Sequence, residues 1–163
     1  MVGFVSYNVD NDKSFKRNID KAIKAVGNLR FPLGEVSRDI YKTTRQNFIL
    51  KGDGQYPPLS AKYAKRKKAL KPSAPILVYS GELRDSVTKP RHKDSILSIG
   101  NQSLVQGTNV VYANAIQDGS KEESNRNMPA RKFLFIDDAQ ALRIERIIGD
   151  YVAARLEVVG NVN

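Results

Sequence analysis

The sequence predicts an α+β protein in which helices pack on a small antiparallel β-sheet and a long helix ends the chain. Three observations support this fold class. Apolar residues recur at helical spacing before residue 50, short β-branched runs lie within residues 96–112, and a long amphipathic segment follows Asp137. The chain has 163 residues, of which 40% are hydrophobic. That length suits one well-buried core, so we expect a single domain over residues 1–163.

The first 26 residues change from the period of a strand to the period of a helix. Residues 5–9 alternate apolar and polar side chains, which predicts a short half-buried strand. From Asp12 onward, apolar side chains recur every three to four positions as far as Val26. Gly27 then provides a stop signal, so a first helix is predicted to end there.

A second helix is predicted to begin near Pro32 and to end before Gly52. Proline is favoured in the first turn of a helix and glycine just after the last turn. The pattern leaves open whether this helix and the preceding one form a single kinked rod. Its expected buried face carries four residues at helical spacing: Val36, Ile40, Thr44 and Phe48.

A short basic helix is predicted after the turn-rich residues 51–58. Ser60 is its expected N-cap and Leu70 its expected end. The helix has little apolar surface, so we expect it to be exposed or held by a partner. Its basic side chains, with one that follows it, form a predicted basic patch: Lys62, Lys65, Arg66, Lys67, Lys68 and Lys71.

Positive charge is concentrated around that helix. The whole chain carries a formal net charge of +10, and residues 52–93 alone contain ten basic and three acidic side chains. No acidic residue occurs between Gly54 and Gly81. A positive field of this kind favours binding to phosphate backbones or to acidic protein surfaces. The simpler interpretation is that these side chains form a helix face that is exposed to solvent.

The sequence of residues 76–87 predicts a sharp corner, in which an extended run is followed directly by a short helix. Residues 76–78 have the composition of a buried strand, and Ser80 is the expected N-cap of a helix of one to two turns. The carboxylates of Glu82 and Asp85 lie near the start of this helix, where they interact favourably with its dipole. Leu83 and Val87 are four positions apart, so both are expected to face the core.

The remaining residues predict a meander, a loop and a long helix. Three β-rich runs within residues 96–112, separated by glycine-containing turns, predict an antiparallel meander. Residues 118–130 begin with a polar, aperiodic stretch, so we expect a mobile loop that becomes ordered on assembly. The last helix is predicted to begin at Asp137, and residues 160–163 are expected to fray.

The sequence does not favour catalysis, a cofactor or a metal. Cysteine is absent, and the glycines follow no phosphate-loop pattern. His92 is the only histidine, and no Ser–His–Asp or zinc-ligand spacing surrounds it. No apolar run approaches the roughly 20 residues that span a bilayer, so no membrane contact is expected. A metal nuclease is the least favoured alternative and would need a carboxylate cluster drawn from Asp53, Glu82, Asp85 and Asp94.

Four ordered stretches carry a resemblance to a known family. They are residues 52–59 (GDGQYPPL), residues 76–87 (ILVYSGELRDSV), residues 112–119 with YA and IQDG, and residues 128–134 (MPARKFL). In this order the chain resembles the virion morphogenesis and tail completion proteins of Mu-like and P2-like tailed phages. Two positions depart from the family pattern, since the family commonly has tryptophan at Tyr56 and proline at Lys132.

The resemblance implies a non-enzymatic virion protein that completes the tail or the head–tail junction (the neck). It implies a homo-oligomeric ring, with a hexamer as one candidate, that is assembled in the host cytoplasm. The implied partners are tail terminator, tail tube or head connector proteins, with non-specific contact to packaged DNA. The alternative is a basic nucleic-acid-binding protein that contacts DNA through residues 60–71.

Five residues are predicted contacts between ring subunits. Arginine can bind a carboxylate at two points, and aromatic side chains often anchor interfaces, although aromatic residues are equally common in cores. The candidates are Arg84, Tyr112, Arg131, Lys132 and Phe133.

Overall fold

The computed structural model describes residues 27–50, 56–121 and 127–160, with the backbone alone at residues 121, 127 and 156–160. The predicted strand at 5–9, the predicted helix over 12–26 and most of the loop at 51–58 lie outside these residues. The described part contains five helices and four strands, and it confirms the α+β class with a long C-terminal helix. In chain order the elements are α1 (Arg30–Leu50), α2 (Ala61–Leu70), α3 (Glu82–Thr88), β1 (Ser95–Ile99), β2 (Leu104–Thr108), α4 (Ala113–Asp118), β3 (Ser120–Lys121), β4 (Asn127–Met128) and α5 (Asp138–Gly160).

The described residues belong to two compact units, each with its own apolar core. The first unit contains Tyr41–Ile96 and Gln106–Phe135. The second contains residues 27–40, Leu97–Val105 and residues from Ile136 onward. The prediction of a single domain over the whole chain stays a prediction.

The core of the first unit joins α1, α3 and the segment after β4. Phe48, Leu83 and Phe133 are each at most 2% exposed. The rings of Phe48 and Phe133 lie 5.9 Å apart at an angle of 46°, a tilted arrangement that aromatic pairs favour. The predicted core positions Leu83 and Val87 are therefore confirmed. The other buried members of this cluster are Val78, Val110, Ala113 and Leu134.

The core of the second unit pairs the start of α1 with α5. Leu29, Leu33 and Val152 are its buried members, and the partly buried side chains of Ile148 and Tyr151 pack against them. The predicted second helix is confirmed with a start at Arg30, where the Asn28 side chain accepts the Arg30 amide at 2.9 Å. Gly27 to Leu29 are not helical, so α1 does not continue any preceding helix.

A polar cluster fixes the start of α5 in the second unit. The Asp137 carboxylate accepts a hydrogen bond from the Gln140 backbone amide at 2.6 Å and so caps the helix at the residue where the sequence predicts its start. Gln140 is 1% exposed and donates its side-chain amide to Asp39 at 3.2 Å. Arg143 also donates to Asp39, at 3.1 Å. The buried amide of Gln140 is thereby held against a charged acceptor.

Two predicted strands are wrong. Residues 76–78 form a turn rather than a strand, because Leu77 adopts a left-handed φ of 67° and the Val78 amide bonds back to the Pro75 carbonyl at 3.1 Å. The run at 110–112 also turns, since the Ala113 amide bonds to the Val110 carbonyl at 3.0 Å and begins the unpredicted helix α4. The meander is therefore a two-stranded hairpin of β1 and β2.

The base of the predicted mobile loop is paired. β3 and β4 are antiparallel, with Ser120 opposite Met128 and Lys121 opposite Asn127. Gly119 makes this possible, because its φ is 78° and an added Cβ would lie 2.7 Å from the Met128 carbonyl oxygen. Residues 122–126 lie outside the described part of the chain.

Replacing Gly119 with alanine is expected to destabilise the protein by about 2 kcal/mol or more, because the side chain meets backbone atoms at a positive φ. Gly149→Ala is the matched control, since Gly149 lies in α5 with no atom within 4 Å of the added Cβ. It should raise the free energy of unfolding by about 0.5–1 kcal/mol. Chemical denaturation of both variants measures the difference, and equal effects would contradict the constraint at Gly119.

Candidate functional site

A groove of about 620 Å³ opens on the surface of the first unit. Its walls come from the residues that precede and begin α2, from the corner before α3, from α4 and from the segment after β4. Apolar and aromatic side chains form most of the lining. The lining residues are Pro58, Leu59, Ser60, Tyr63, Lys67, Leu77, Tyr79, Ser80, Gly81, Glu82, Leu83, Tyr112, Ile116, Met128, Pro129 and Arg131.

The corner that forms one wall is capped one residue later than predicted. Gly81, with a φ of 89°, is the N-cap of α3, and no side chain caps the helix from that position. The Ser80 hydroxyl still accepts an amide, that of Glu82, at 3.3 Å. A glycine is needed because the chain turns through a left-handed conformation before it enters the helix.

A buried hydroxyl pair holds α3 against β2. Ser86 is fully buried, and its hydroxyl lies 2.7 Å from that of Thr108. The Ser86 hydroxyl also donates to the Leu83 carbonyl at 2.8 Å, and the Val110 amide donates to the Thr108 hydroxyl at 3.1 Å. Because each buried hydroxyl has partners, the corner meets the hairpin in one defined position.

Two buried cations line the groove. Lys67 and Arg131 are only 5% and 6% exposed. Lys67 donates to the Pro75 carbonyl, and Arg131 donates to the carbonyls of Pro57 and Pro58, both at 3.0 Å. Among the described residues neither side chain forms a salt bridge. Burial lowers the pKa of both side chains, because removal from water penalises the charged form.

Three half-exposed tyrosines stand around the groove. Tyr63 comes from α2, Tyr79 from the corner and Tyr112 from the residue before α4, and each is 43–47% exposed. Burial, reinforced by the charge of Glu82, raises the pKa of the Tyr112 hydroxyl. These side chains offer apolar ring faces together with hydroxyl groups, the combination that is enriched in protein interfaces.

The predicted interface residues occupy different environments. Tyr112 and Arg131 both line the groove, and Arg131 is largely buried and donates to the carbonyls of Pro57 and Pro58. Phe133 is 1% exposed and belongs to the core, so its surface role requires correction. Arg84 bonds to Asp85 at 2.7 Å with a partly exposed side chain. Lys132 is exposed.

The predicted basic helix is confirmed with Ser60 as its N-cap. The Ser60 hydroxyl accepts the Tyr63 amide at 3.4 Å. Lys67 departs from the predicted patch, because it is buried against the loop at Pro75 instead of facing solvent. The other five members of the patch are exposed: Lys62, Lys65, Arg66, Lys68 and Lys71.

The carboxylates considered for a metal site form ion pairs instead. Asp85 contacts Arg84 and Lys89, while Glu82 contacts Lys93 at 3.3 Å. Asp94 pairs with Lys93, and its amide donates to Nδ1 of His92 at 3.2 Å, so the histidine belongs to a turn. Asp53 lies outside the described residues. Within the described part of the chain, no group of three histidine or acidic side chains is arranged to hold a metal ion.

The sequence does not reveal the groove. In the sequence Tyr63 lies among the lysines of α2, and nothing singles out Tyr63 or Tyr79 as part of a groove. Lys67 resembles its exposed neighbours in the sequence, because nothing in a lysine run shows which member packs against a loop. The one available signal is spacing, since Lys67 lies four residues after Tyr63 and therefore on the same helix face.

Comparisons with known proteins identify the class of the chain. Residues 10–153 match the phage virion morphogenesis family, which covers most of the 163 residues. The chain therefore belongs to the phage virion morphogenesis family. No curated protein and no solved structure matches it.

Family membership gives the chain a structural role in the phage virion. In the part of the chain that the structure describes, none of the helices has the length and apolar character required to cross a bilayer.

Asp85 is expected to make folding dependent on pH. Hydrogen bonds from Arg84 and Lys89 lower the pKa of its carboxyl group. The folded chain therefore binds this proton less readily than the unfolded chain, whose aspartates titrate at about pH 4. The stabilisation is present above that value and is lost as the pH falls through the folded pKa of Asp85.

Asp85→Asn should lower the free energy of unfolding by about 0.5–1 kcal/mol at neutral pH, since both cationic partners are partly exposed. Urea denaturation across the acidic range checks this, and the difference from the parent should shrink as Asp85 becomes protonated. Asp150→Asn, at an exposed position in α5, is the control. A difference that does not vary with pH would contradict the prediction.

Proposed function

We propose that this protein completes the tail or the head–tail junction of a tailed phage. It acts by binding and not by catalysis, and it assembles in the host cytoplasm as a homo-oligomeric ring, with a hexamer as one candidate. Its partners are tail terminator, tail tube or head connector proteins. The observation that carries the proposal is the family match over residues 10–153.

The surface of the first unit supports this proposal in physical terms. A groove with tyrosines at its edge and an exposed basic helix lie on the same unit. An aromatic groove suits contact with a protein, and a basic surface suits acidic proteins or the DNA that passes through a connector. Arg84, Tyr112 and Lys132 remain the candidate contacts with exposed surface.

A conditional nonsense mutation in the gene of the parent phage tests the proposal. Without the protein, heads and tails should accumulate unjoined, or tails should remain unfinished, and infectivity should fall. Expression of the wild-type chain in the host should restore it. Electron microscopy of lysates and plaque counts measure these outcomes, and particles of normal shape and yield would overturn the proposal.

Native mass spectrometry of the purified chain tests the ring separately. A closed assembly should appear as one stoichiometry that persists over a range of protein concentrations. A chain that remains monomeric, both alone and with its tail proteins, would contradict the ring but not the role in the virion.

The exposed face of α2 favours nucleic-acid binding as a second candidate function. The exposed basic side chains of α2 would attract DNA phosphates electrostatically. Binding to a labelled DNA duplex should therefore be independent of sequence, and its affinity should fall steeply with salt. Replacing Lys62, Lys65, Arg66 and Lys68 with glutamine should weaken binding at least about tenfold. The slope of log affinity against log salt should become shallower by about 0.9 for each phosphate that the variant no longer neutralises.

Fluorescence anisotropy over a salt series measures this effect. A variant with Arg146 and Arg155 of α5 replaced by glutamine is the control for loss of charge elsewhere. Because the first variant removes four charges and the control removes two, equal losses of binding free energy per charge would show that net charge, and not α2, attracts DNA.

A further inference from the structure

The groove of the first unit contains buried positive charge that forms no ion pair with the residues that the structure describes. Lys67 and Arg131 are both more than nine-tenths buried, and both line it. Glu82 is the acidic residue among the described lining residues, and its carboxylate lies 3.3 Å from Lys93. Among the described residues, the hydrogen-bond partners of these two cations are backbone carbonyl groups.

Both cations retain hydrogen-bonding capacity. An arginine side chain has five N–H donors, and the described contacts of Arg131 use one on Nε and one on Nη2. A lysine ammonium has three donors, and the described contact of Lys67 uses one, to the Pro75 carbonyl. A buried charge is strongly stabilised when an opposite charge completes its hydrogen bonds. A carboxylate could supply both the negative charge and the hydrogen-bond acceptors.

The rest of the lining describes the chemistry that surrounds this carboxylate. Leu59, Leu77, Ile116 and Met128 provide apolar contact, and the rings of the three tyrosines stand half-exposed around the opening. Side chains of this kind bind aliphatic or aromatic groups by excluding water. A volume of about 620 Å³ is within the usual range for a bound ligand or a few peptide residues.

We propose that this groove binds a short extended segment of another virion protein, in which an aspartate or glutamate is flanked by apolar side chains. The carboxylate faces Lys67 and Arg131, and the flanking side chains pack between the tyrosines. The inference deepens the assembly role proposed above and rests on it for the source of the segment. A carboxylate is chosen over phosphate, because the groove is mainly apolar and the exposed lysines lie outside its lining.

Selection of a displayed random-peptide library on the immobilised protein tests the chemistry of the groove. Enriched peptides should share one acidic residue beside apolar ones. Synthetic versions in which that residue is changed to asparagine or glutamine should bind at least tenfold more weakly. This comparison alters the peptide alone, so it does not depend on the folding of any variant. Failure to enrich such peptides, or equal binding by the amide versions, would overturn the proposal.

Two lysine variants then locate the binding site. Lys67→Met removes the buried cation and keeps an apolar stem, while Lys68→Met removes an exposed charge that does not line the groove. Calorimetry with the selected peptide should show at least a tenfold loss for Lys67→Met and less than a threefold loss for Lys68→Met. Tyr79→Ala, at a half-exposed position, should also weaken binding. Equal losses for the two lysine variants would indicate general attraction to a basic surface and would overturn the groove assignment.

Three further outcomes identify the occupant of the groove or separate this proposal from the virion role. If the selected peptide disperses an oligomer of the protein, the occupant is a second copy of this chain, and the assignment to another protein fails. If particles require the protein but no acidic peptide binds, the groove proposal fails and the virion role stands. If normal particles form without the protein, the virion role fails whatever the peptides show.

Discussion

The structure of the first unit depends on the packing of Phe48, Leu83, Val87 and Phe133 into one buried cluster. These side chains come from the end of α1, from α3 and from the segment after β4, which are far apart in the sequence. The cluster fixes the positions of two groove walls, because groove residues lie close in sequence to cluster residues. Arg131 is two residues before Phe133, and Gly81 is two residues before Leu83. Burial of apolar area in this cluster therefore orients the polar residues that line the groove.

The elements that could be predicted from the sequence are those with strong local signals. The period of α1, the Ser60 cap of α2 and the acidic start of α5 each arise from interactions within a few residues, and each is confirmed. The short helix α3 is predicted correctly for the same reason, with an error of one residue at its cap. Leu83 and Val87 show that four-residue spacing is informative even in a helix of two turns.

The elements that could not be predicted are set by tertiary context. Residues 76–78 and 110–112 have the composition of strands, yet no neighbouring strand in the described part of the chain pairs with either, and backbone bonds within each run turn the chain instead. From the sequence, Lys67 and Arg131 are expected to be exposed, because lysine and arginine side chains usually lie on the protein surface. Their burial depends on proline carbonyls at Pro57, Pro58 and Pro75 that point toward them, a feature without a signature in the sequence. Phe133 is predicted at an interface but lies in the core. The sequence does not distinguish the two, because both interfaces and cores contain apolar aromatic side chains.

The contact between Arg131 and the carbonyls of Pro57 and Pro58 has a consequence for association kinetics. Proline already restricts its own backbone, and a guanidinium that bridges two successive carbonyls restricts the segment further. This rim of the groove is thereby held in place before any ligand arrives. A ligand that meets a preorganised rim loses less conformational entropy on docking, so encounter rather than rearrangement would limit how fast the complex forms.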